Sequence, residues 1–126
     1  MGNIISVGYY PGWDTGDVRD YLEGLRDDGQ RKKAAAKLDF DIHMLATTWP
    51  RPQYVSVKSM RGHEPLQELI REYQGVAYRI FFCVKDGDIW LLHAFEKKRR
   101  KTPATDLKLA YDRMRSVLNG KVERIP

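Results

Sequence analysis

Positive charge is concentrated at one point of the sequence. An apolar run and a single glutamate are followed by five consecutive cations: Lys97, Lys98, Arg99, Arg100 and Lys101. The chain has 22 basic and 17 acidic residues, so this run accounts for the whole net charge of +5. Charge localised in this way favours a directed anion-binding surface. A solvated loop is the alternative, because charged runs are common in loops.

Arg79 and His93 lie in the apolar runs ahead of these cations. An arginine among apolar neighbours is difficult to bury without an anion. Arg79 therefore either forms a structural salt bridge, for example with Glu68 on a neighbouring strand, or binds an anionic ligand. A histidine ordinarily titrates near neutral pH, so His93 is a candidate acid or base. The alternative for His93 is a packed strand residue.

Cations on rigid strands suit the attack of an RNA 2′-hydroxyl on its own adjacent phosphate. The substrate supplies the nucleophile, so the protein needs only to position the strand and stabilise charge on the phosphorane. Arginine binds phosphate oxygens in a bidentate manner, and lysine adds a point charge. The histidines and the single cysteine have no metal-ligand spacing, and no nucleotide-binding fingerprint is present. We therefore expect no metal and no cofactor.

Two strands and a turn must position Arg79 and His93. Residues 78–84 and 89–95 are rich in aromatic and branched side chains, and Asp86-Gly87-Asp88 joins them. Asp-Gly between such runs is a strong hairpin signal. The runs lack clean polar alternation, which indicates strands covered on both faces and hence central in a sheet. Cys83 in this hairpin is predicted to be a buried structural thiol.

The remaining elements indicate a single α+β domain over residues 1–126. The order βααββββα predicts an antiparallel sheet with an N-terminal helical pair and a C-terminal helix. We expect residues 118–126 to form a loose tail. The predicted elements are a strand at 4–10, a helix capped by Asp14 or Thr15, a helix at 30–48, an edge strand at 54–60, strands at 66–73, 76–84 and 89–95, and a last helix with Thr102 as its cap and Pro103 in its first turn.

The sequence predicts a cytoplasmic protein. No apolar run approaches the roughly 20 residues of a membrane span, so we expect no membrane contact. The N-terminus lacks the basic flank and long apolar centre of a signal peptide. The single cysteine excludes an internal disulfide, which is typical of a reducing compartment.

Four segments carry a resemblance to a known family. They are Tyr78-Arg79-Ile80, Leu91-Leu92-His93-Ala94-Phe95-Glu96-Lys97-Lys98, Lys101-Thr102-Pro103, and Asp106-Leu107-(x2)-Ala110-(x2)-Arg113. In order, spacing and setting they resemble the phage-derived Gp49-like/HigB group of the RelE toxin superfamily. The close match covers roughly the C-terminal third of the chain, and the N-terminal part is similar in layout only.

This resemblance implies a RelE-like fold and a ribosome-dependent endoribonuclease that cleaves mRNA. It implies that Arg79, Lys97 and Lys98 bind the phosphate and stabilise the transition state. His93 occupies the family's Leu-Leu-His position. The further cations Arg71, Arg99, Arg100 and Lys101 are expected to bind RNA. The implied partners are mRNA, the ribosome and a cognate antitoxin with a helix-turn-helix domain.

Arg71 marks a departure from the family pattern. The family places an arginine directly after the Glu-Leu pair of the third sheet strand, whereas here Glu68-Leu69 is followed by Ile70 and then Arg71. A shift of one residue sends a strand side chain to the opposite face. Either a bulge returns Arg71 to the active face, or the contact is absent. The second outcome favours the alternative function, a non-catalytic nucleic-acid-binding or regulatory module.

Overall fold

The computed structural model describes residues 5–97 and 103–124. The predicted α+β class and the order βααββββα are confirmed. The elements are β1 (Ser6–Tyr9), α1 (Asp17–Asp27), α2 (Lys32–Thr48), β2 (Ser56–Ser59), β3 (Gln67–Tyr73), β4 (Val76–Lys85), β5 (Asp88–Lys97) and α3 (Ala104–Leu118).

The strands form one five-stranded sheet in the order β1-β5-β4-β3-β2. β2 to β5 pair antiparallel, as expected, and β2 is an edge strand. β1 differs, because it runs parallel to β5. The apolar pattern of a short strand indicates which face is buried and says nothing about the direction of its neighbour, so this pairing was not predictable from β1 alone.

The β4–β5 hairpin has the turn that its sequence predicts. Asp86 and Gly87 both adopt positive φ, at 51° and 80°. Two positive φ angles are the requirement of a type I′ turn, whose twist matches that of the flanking strands. β4 lies at the centre of the sheet with β5 beside it, as the continuous apolar runs predict.

Each face of the sheet carries its own core. One core lies under α1 and α2 and includes Leu22, Leu38, Ile80 and Leu91. The other lies under α3 and includes Phe81, Trp90, Phe95 and Met114. We call these sides of the sheet the helical-pair face and the α3 face. Because both are covered, β4 and β5 have no polar side on which alternation could appear.

A β-bulge in β5 determines which residues reach the α3 face. Phe81 pairs with His93 and Phe82 pairs with Leu91, so Leu92 is the extra residue. An extra residue shifts the alternation of the strand by one. Leu92 packs in the α3-face core, and His93, the next residue, contacts α3 as well. From His93 to the end of β5, odd-numbered residues therefore lie on the α3 face.

The helix starts differ slightly from the prediction. α1 begins at Asp17 with Gly16 as its N-cap, so neither Asp14 nor Thr15 caps it. Gly16 passes close to Tyr10, whose carbonyl oxygen would be 1.9 Å from an added Cβ, so a residue with a side chain does not fit at this N-cap. α2 begins at Lys32 and not at residue 30. α3 begins at Ala104 with Pro103 as its N-cap, and Thr102 lies outside the described residues.

Val122 and Arg124, which follow α3, contact the body of the domain. Val122 packs against the α3-face core. The Arg124 guanidinium donates to Asp88 Oδ1 at 3.0 Å and lies 5.0 Å from a Trp13 ring centroid. Within the described part of the chain, none of the helices is long and apolar enough to cross a membrane.

Candidate active site

Arg79 occupies the middle of the α3 face. It pairs with Ile70 on β3 and with Phe95 on β5. His93 and Lys97 stand two residues to either side of Phe95, so both are diagonal neighbours of Arg79 at a typical separation of about 7 Å. The structure therefore brings together three of the predicted residues, Arg79, Lys97 and His93.

Arg79 forms the salt bridge with Glu68 that was one of its two predicted roles. Its Nη1 donates to Glu68 Oε1 at 3.1 Å, with side-chain exposures of 11% for Arg79 and 1% for Glu68. Among the described residues, neither Arg79 Nε nor Glu68 Oε2 has a hydrogen-bond partner, although both atoms are buried. An unsatisfied buried donor is costly and requires an explanation. A guanidinium that is not fully committed to its carboxylate is a candidate to bind an anion.

Lys97 belongs to the same charged cluster. Burial lowers the pKa of Lys97, and the positive charge of Arg79 lowers it further. Lys58 on β2 acts in the same direction, whereas Glu68 opposes it. We call Arg79, Lys97, Lys58 and Glu68 the charged cluster. It contains more positive than negative charge, so an added anion would relieve the repulsion within it.

His93 is fixed from two directions. Its Nε2 lies 2.6 Å from Asp106 Oδ1 in the first turn of α3. Its ring stacks on Phe95 at a centroid distance of 5.7 Å and an interplanar angle of 12°. The side chain is 16% exposed. In its neutral form, a histidine held by a carboxylate keeps its proton on the nitrogen that faces the carboxylate. The other ring nitrogen can then accept a proton.

Arg113 secures the bulge that orients His93. Its Nη1 donates to the carbonyl oxygen of Leu92 at 2.8 Å, and its Nη2 donates to Asp17 at 2.7 Å. The extra residue of a bulge leaves the regular ladder, and Arg113 supplies a donor for its carbonyl. No role for Asp106 or Arg113 was predicted from the sequence. Their presence in the Asp106-Leu107-(x2)-Ala110-(x2)-Arg113 segment was the available signal.

Arg71 is not brought together with the other predicted residues. β3 and β4 pair in unbroken register from Gln67 to Tyr73, so no bulge returns Arg71 to the α3 face. It lies on the helical-pair face, where Nε donates to Asp41 Oδ2 at 2.7 Å and Nη2 donates to Asp41 Oδ1. These hydrogen bonds raise the pKa of Arg71. Ile70 occupies the position opposite Arg79.

The other predicted residues of the cation run lie beyond the described part of β5. Lys98, Arg99, Arg100 and Lys101 fall outside the described residues.

Within residues 5–97 and 103–124 there is no group of three or more His, Cys, Asp or Glu side chains that could hold a metal ion. Cys83 is buried and unbridged, and burial raises the pKa of its thiol to about 12.

One family model matches the chain. It is described as Phage derived protein Gp49-like (DUF891), and it matches residues 21–115. The match contains α2 and β2 to β5 completely and most of α1 and α3. It therefore includes Arg79, His93, Lys97 and Asp106. Searches of curated proteins and of solved structures gave no match. Because the family model covers most of its length, the chain belongs to the Gp49-like family of phage-derived proteins.

Proposed function

We propose that this protein is a RelE/HigB-type toxin of a toxin–antitoxin pair. In this proposal it acts in the cytoplasm as an endoribonuclease that cleaves mRNA on the translating ribosome, without a metal ion. A cognate antitoxin with a helix-turn-helix domain holds it in check. Membership of the Gp49-like family supports a toxin or phage-derived module, and the α3 face supplies the chemical argument.

The observation that carries the proposal is the state of Arg79. A guanidinium with 11% exposure keeps one donor, Nε, without a partner in the described chain. The neighbouring Lys97 is also held where its charge is disfavoured. A guanidinium with an uncommitted donor and a lysine whose pKa is lowered, on one rigid face, favour the binding of an anion. A phosphodiester satisfies both, because its oxygens accept from the guanidinium and the ammonium together.

The reaction that fits these groups is an internal transesterification. The 2′-oxygen of the substrate attacks the adjacent phosphorus, and the bond from phosphorus to the 5′-oxygen breaks. The products are a 2′,3′-cyclic phosphate and a 5′-hydroxyl. Arg79 and Lys97 would stabilise the additional negative charge of the phosphorane. A base removes the 2′-hydroxyl proton, and an acid protonates the departing 5′-oxygen.

Two groups can perform these proton transfers. His93 has a defined tautomer through Asp106 and lies diagonally beside Arg79. Glu68 has a buried carboxylate oxygen, Oε2, without a partner among the described residues. His93 is the better candidate, since Glu68 already neutralises Arg79 and would leave that pair if it took up a proton.

End-group analysis of cleaved mRNA tests this reaction. Sequencing should recover 5′-hydroxyl ends from cells that express the wild-type chain, and these ends should disappear when Lys97 and Lys98 are both changed to Ala. Lys108→Ala with Lys121→Ala is the charge-matched control, because both side chains are exposed and neither belongs to the charged cluster. A single 2′-deoxy substitution at the cut site should block cleavage there. Recovery of 5′-phosphate ends would exclude the mechanism.

Growth of a bacterial host tests the biological role. Induced expression of the chain alone should arrest growth, and co-expression of the antitoxin encoded beside it should restore growth. Unimpaired growth with soluble, folded chain present would contradict the toxin assignment.

The second candidate is a non-catalytic nucleic-acid-binding or regulatory module. Two observations favour it: Arg79 is already paired with Glu68, and Ile70 stands opposite Arg79 where the family pattern has an arginine. This module would bind RNA through the same face and leave it intact. RNA that is retained by the wild-type chain but never cut, even on translating ribosomes, would identify this function.

A further inference from the structure

An open groove lies between α2 and β3, on the face of the sheet opposite Arg79 and Lys97. Its volume is about 480 Å³, and its lining residues are Lys33, Ala36, Lys37, Phe40, Arg71 and Tyr73. The four residues from α2 have the i, i+3, i+4, i+7 spacing of a single helix side, so they form a continuous wall. We call this feature the α2 groove.

The floor of the α2 groove is apolar. Phe40 is 50% exposed, and it shares the groove with the methyl group of Ala36 and the ring of Tyr73. Single exposed apolar side chains are ordinary on protein surfaces. Phe40 differs because it lines a concave surface, where an apolar side chain from a partner would contact carbon atoms on several sides.

The rim of the α2 groove is positive. Lys33 and Lys37 take part in no ion pair within residues 5–97 and 103–124. Lys37 Nζ lies 5.0 Å from the Tyr73 ring centroid. Arg71 differs from the lysines, because Asp41 holds its guanidinium. The groove therefore offers two ammonium groups beside an apolar floor.

We propose that the α2 groove is a docking site for an acidic, amphipathic segment of a partner protein. An apolar side chain of that segment seats against Phe40, and its carboxylates pair with Lys33 and Lys37. The complementary charge steers the encounter, and the buried apolar contact supplies affinity. This inference goes beyond the proposed RNA cleavage and does not depend on it.

The same contacts favour a protein segment over RNA. RNA recognition uses free aromatic faces for base stacking and guanidinium groups for phosphate. Lys37 covers one face of the Tyr73 ring, and Arg71, the guanidinium among the described lining residues, is committed to Asp41. The exposed ring of Phe40 is therefore accompanied by two lysines and by no uncommitted guanidinium of the described lining.

The position of the groove defines what its occupant leaves free. Arg71 lies on the helical-pair face, whereas Arg79 and Lys97 lie on the α3 face. A segment confined to the α2 groove therefore lies on the face of the sheet opposite Arg79 and Lys97.

A synthetic helical peptide with a stripe of leucines flanked by glutamates is the probe for this groove. Fluorescence anisotropy measures its binding to the full chain. Lys37→Glu and Phe40→Ala should each weaken binding by at least about tenfold, which is about 1.4 kcal/mol. The matched controls are Lys32→Glu, which lies on α2 outside the groove lining, and Leu109→Ala on α3, where Leu109 is 39% exposed. Each control should change binding by roughly twofold or less, within the range of ordinary surface substitutions.

Circular dichroism establishes that each variant is folded, as expected for substitutions of side chains that are at least partly exposed. The proposal is overturned if the peptide does not bind, or if the control variants weaken binding as much as the groove variants do. A single-stranded RNA oligonucleotide whose binding falls tenfold with Lys37→Glu and Phe40→Ala would also overturn it, because the groove would then be an RNA surface.

Discussion

His93 Nε2 lies 2.6 Å from Asp106 Oδ1, so the bulged strand β5 is joined to the first turn of α3 by a side-chain hydrogen bond. In the neutral imidazole the nitrogen that faces the carboxylate carries the proton. Nδ1 is then left with a free lone pair. The pair thus presents His93 as a proton acceptor whose orientation is set by a second element of the fold.

Asp106→Asn should reduce RNA cleavage by roughly 100-fold, the lower end of what general acid–base transfer contributes. The amide can donate to the ring and stabilise the wrong tautomer, while its shape is preserved. Asp112→Asn is the control, because Asp112 lies on the same helix in an exposed pair with Lys108. An unchanged rate would exclude a role of the His93–Asp106 pair in proton transfer.

Arg79→Ala should abolish cleavage and also destabilise the fold, because it leaves the carboxylate of Glu68 buried without its partner. The loss of one member of a buried pair typically costs about 3–5 kcal/mol. Replacement of both partners by apolar residues, Arg79→Met with Glu68→Leu, should recover most of that stability, since neither charge then remains buried.

Chemical denaturation of the single and double variants measures both effects. The double variant should remain inactive in the mRNA end-group assay despite its restored stability. If cleavage returns together with stability, Arg79 serves the fold and not the reaction.

Arg71→Met should lower the free energy of unfolding without changing cleavage per folded molecule. Asp41 is 1% exposed, and Arg71 is its hydrogen-bonded partner, so the substitution leaves a buried carboxylate unpaired. The control is Arg26→Met. It breaks the exposed pair of Arg26 with Asp39, at 42% and 45% exposure, and should cost about 1 kcal/mol or less. A loss of RNA binding with full stability would instead assign Arg71 to the RNA-binding surface.

The alternation of side chains along a strand determines the face of the sheet on which Arg71 lies. Since Ile70 pairs with Arg79 in an unbroken register, the side chain of the next residue belongs to the opposite face. The sequence left two outcomes open, a bulge that returns Arg71 to the active face or a missing contact. The register of β3 and β4 shows that the contact is missing. The hairpin at Asp86 and Gly87 was predictable for a similar reason, because its turn type depends on local backbone preferences.

The bulge at Leu92 was not predictable in this way. Both faces of β5 are covered, so a bulge exchanges one buried side chain for another. The polar and apolar pattern of the sequence therefore does not show where the bulge lies. For the same reason the pairing of His93 with Asp106 was missed. It depends on the shifted face of β5 and on the position of α3, and both are long-range properties.

The pKa of Lys97 should respond with opposite signs to changes at its two charged neighbours. Glu68 raises this pKa and Lys58 lowers it. Glu68→Gln removes a negative charge that stabilises the ammonium, so the pKa should fall further below its ordinary value. Lys58→Met removes a like charge, so the pKa should rise toward that value. Glu68→Gln retains an oxygen for Arg79, which limits the structural disturbance.

Carbon-13 NMR of the lysine side chains during a pH titration follows Lys97 in each variant. A bound phosphodiester analogue should raise the pKa of Lys97 in the wild-type chain, because an anion favours the charged amine. The signal of exposed Lys108 on α3 provides the internal reference. If the analogue leaves the titration of Lys97 unchanged, the anion does not bind at the charged cluster, and the α3 face is not the phosphate site.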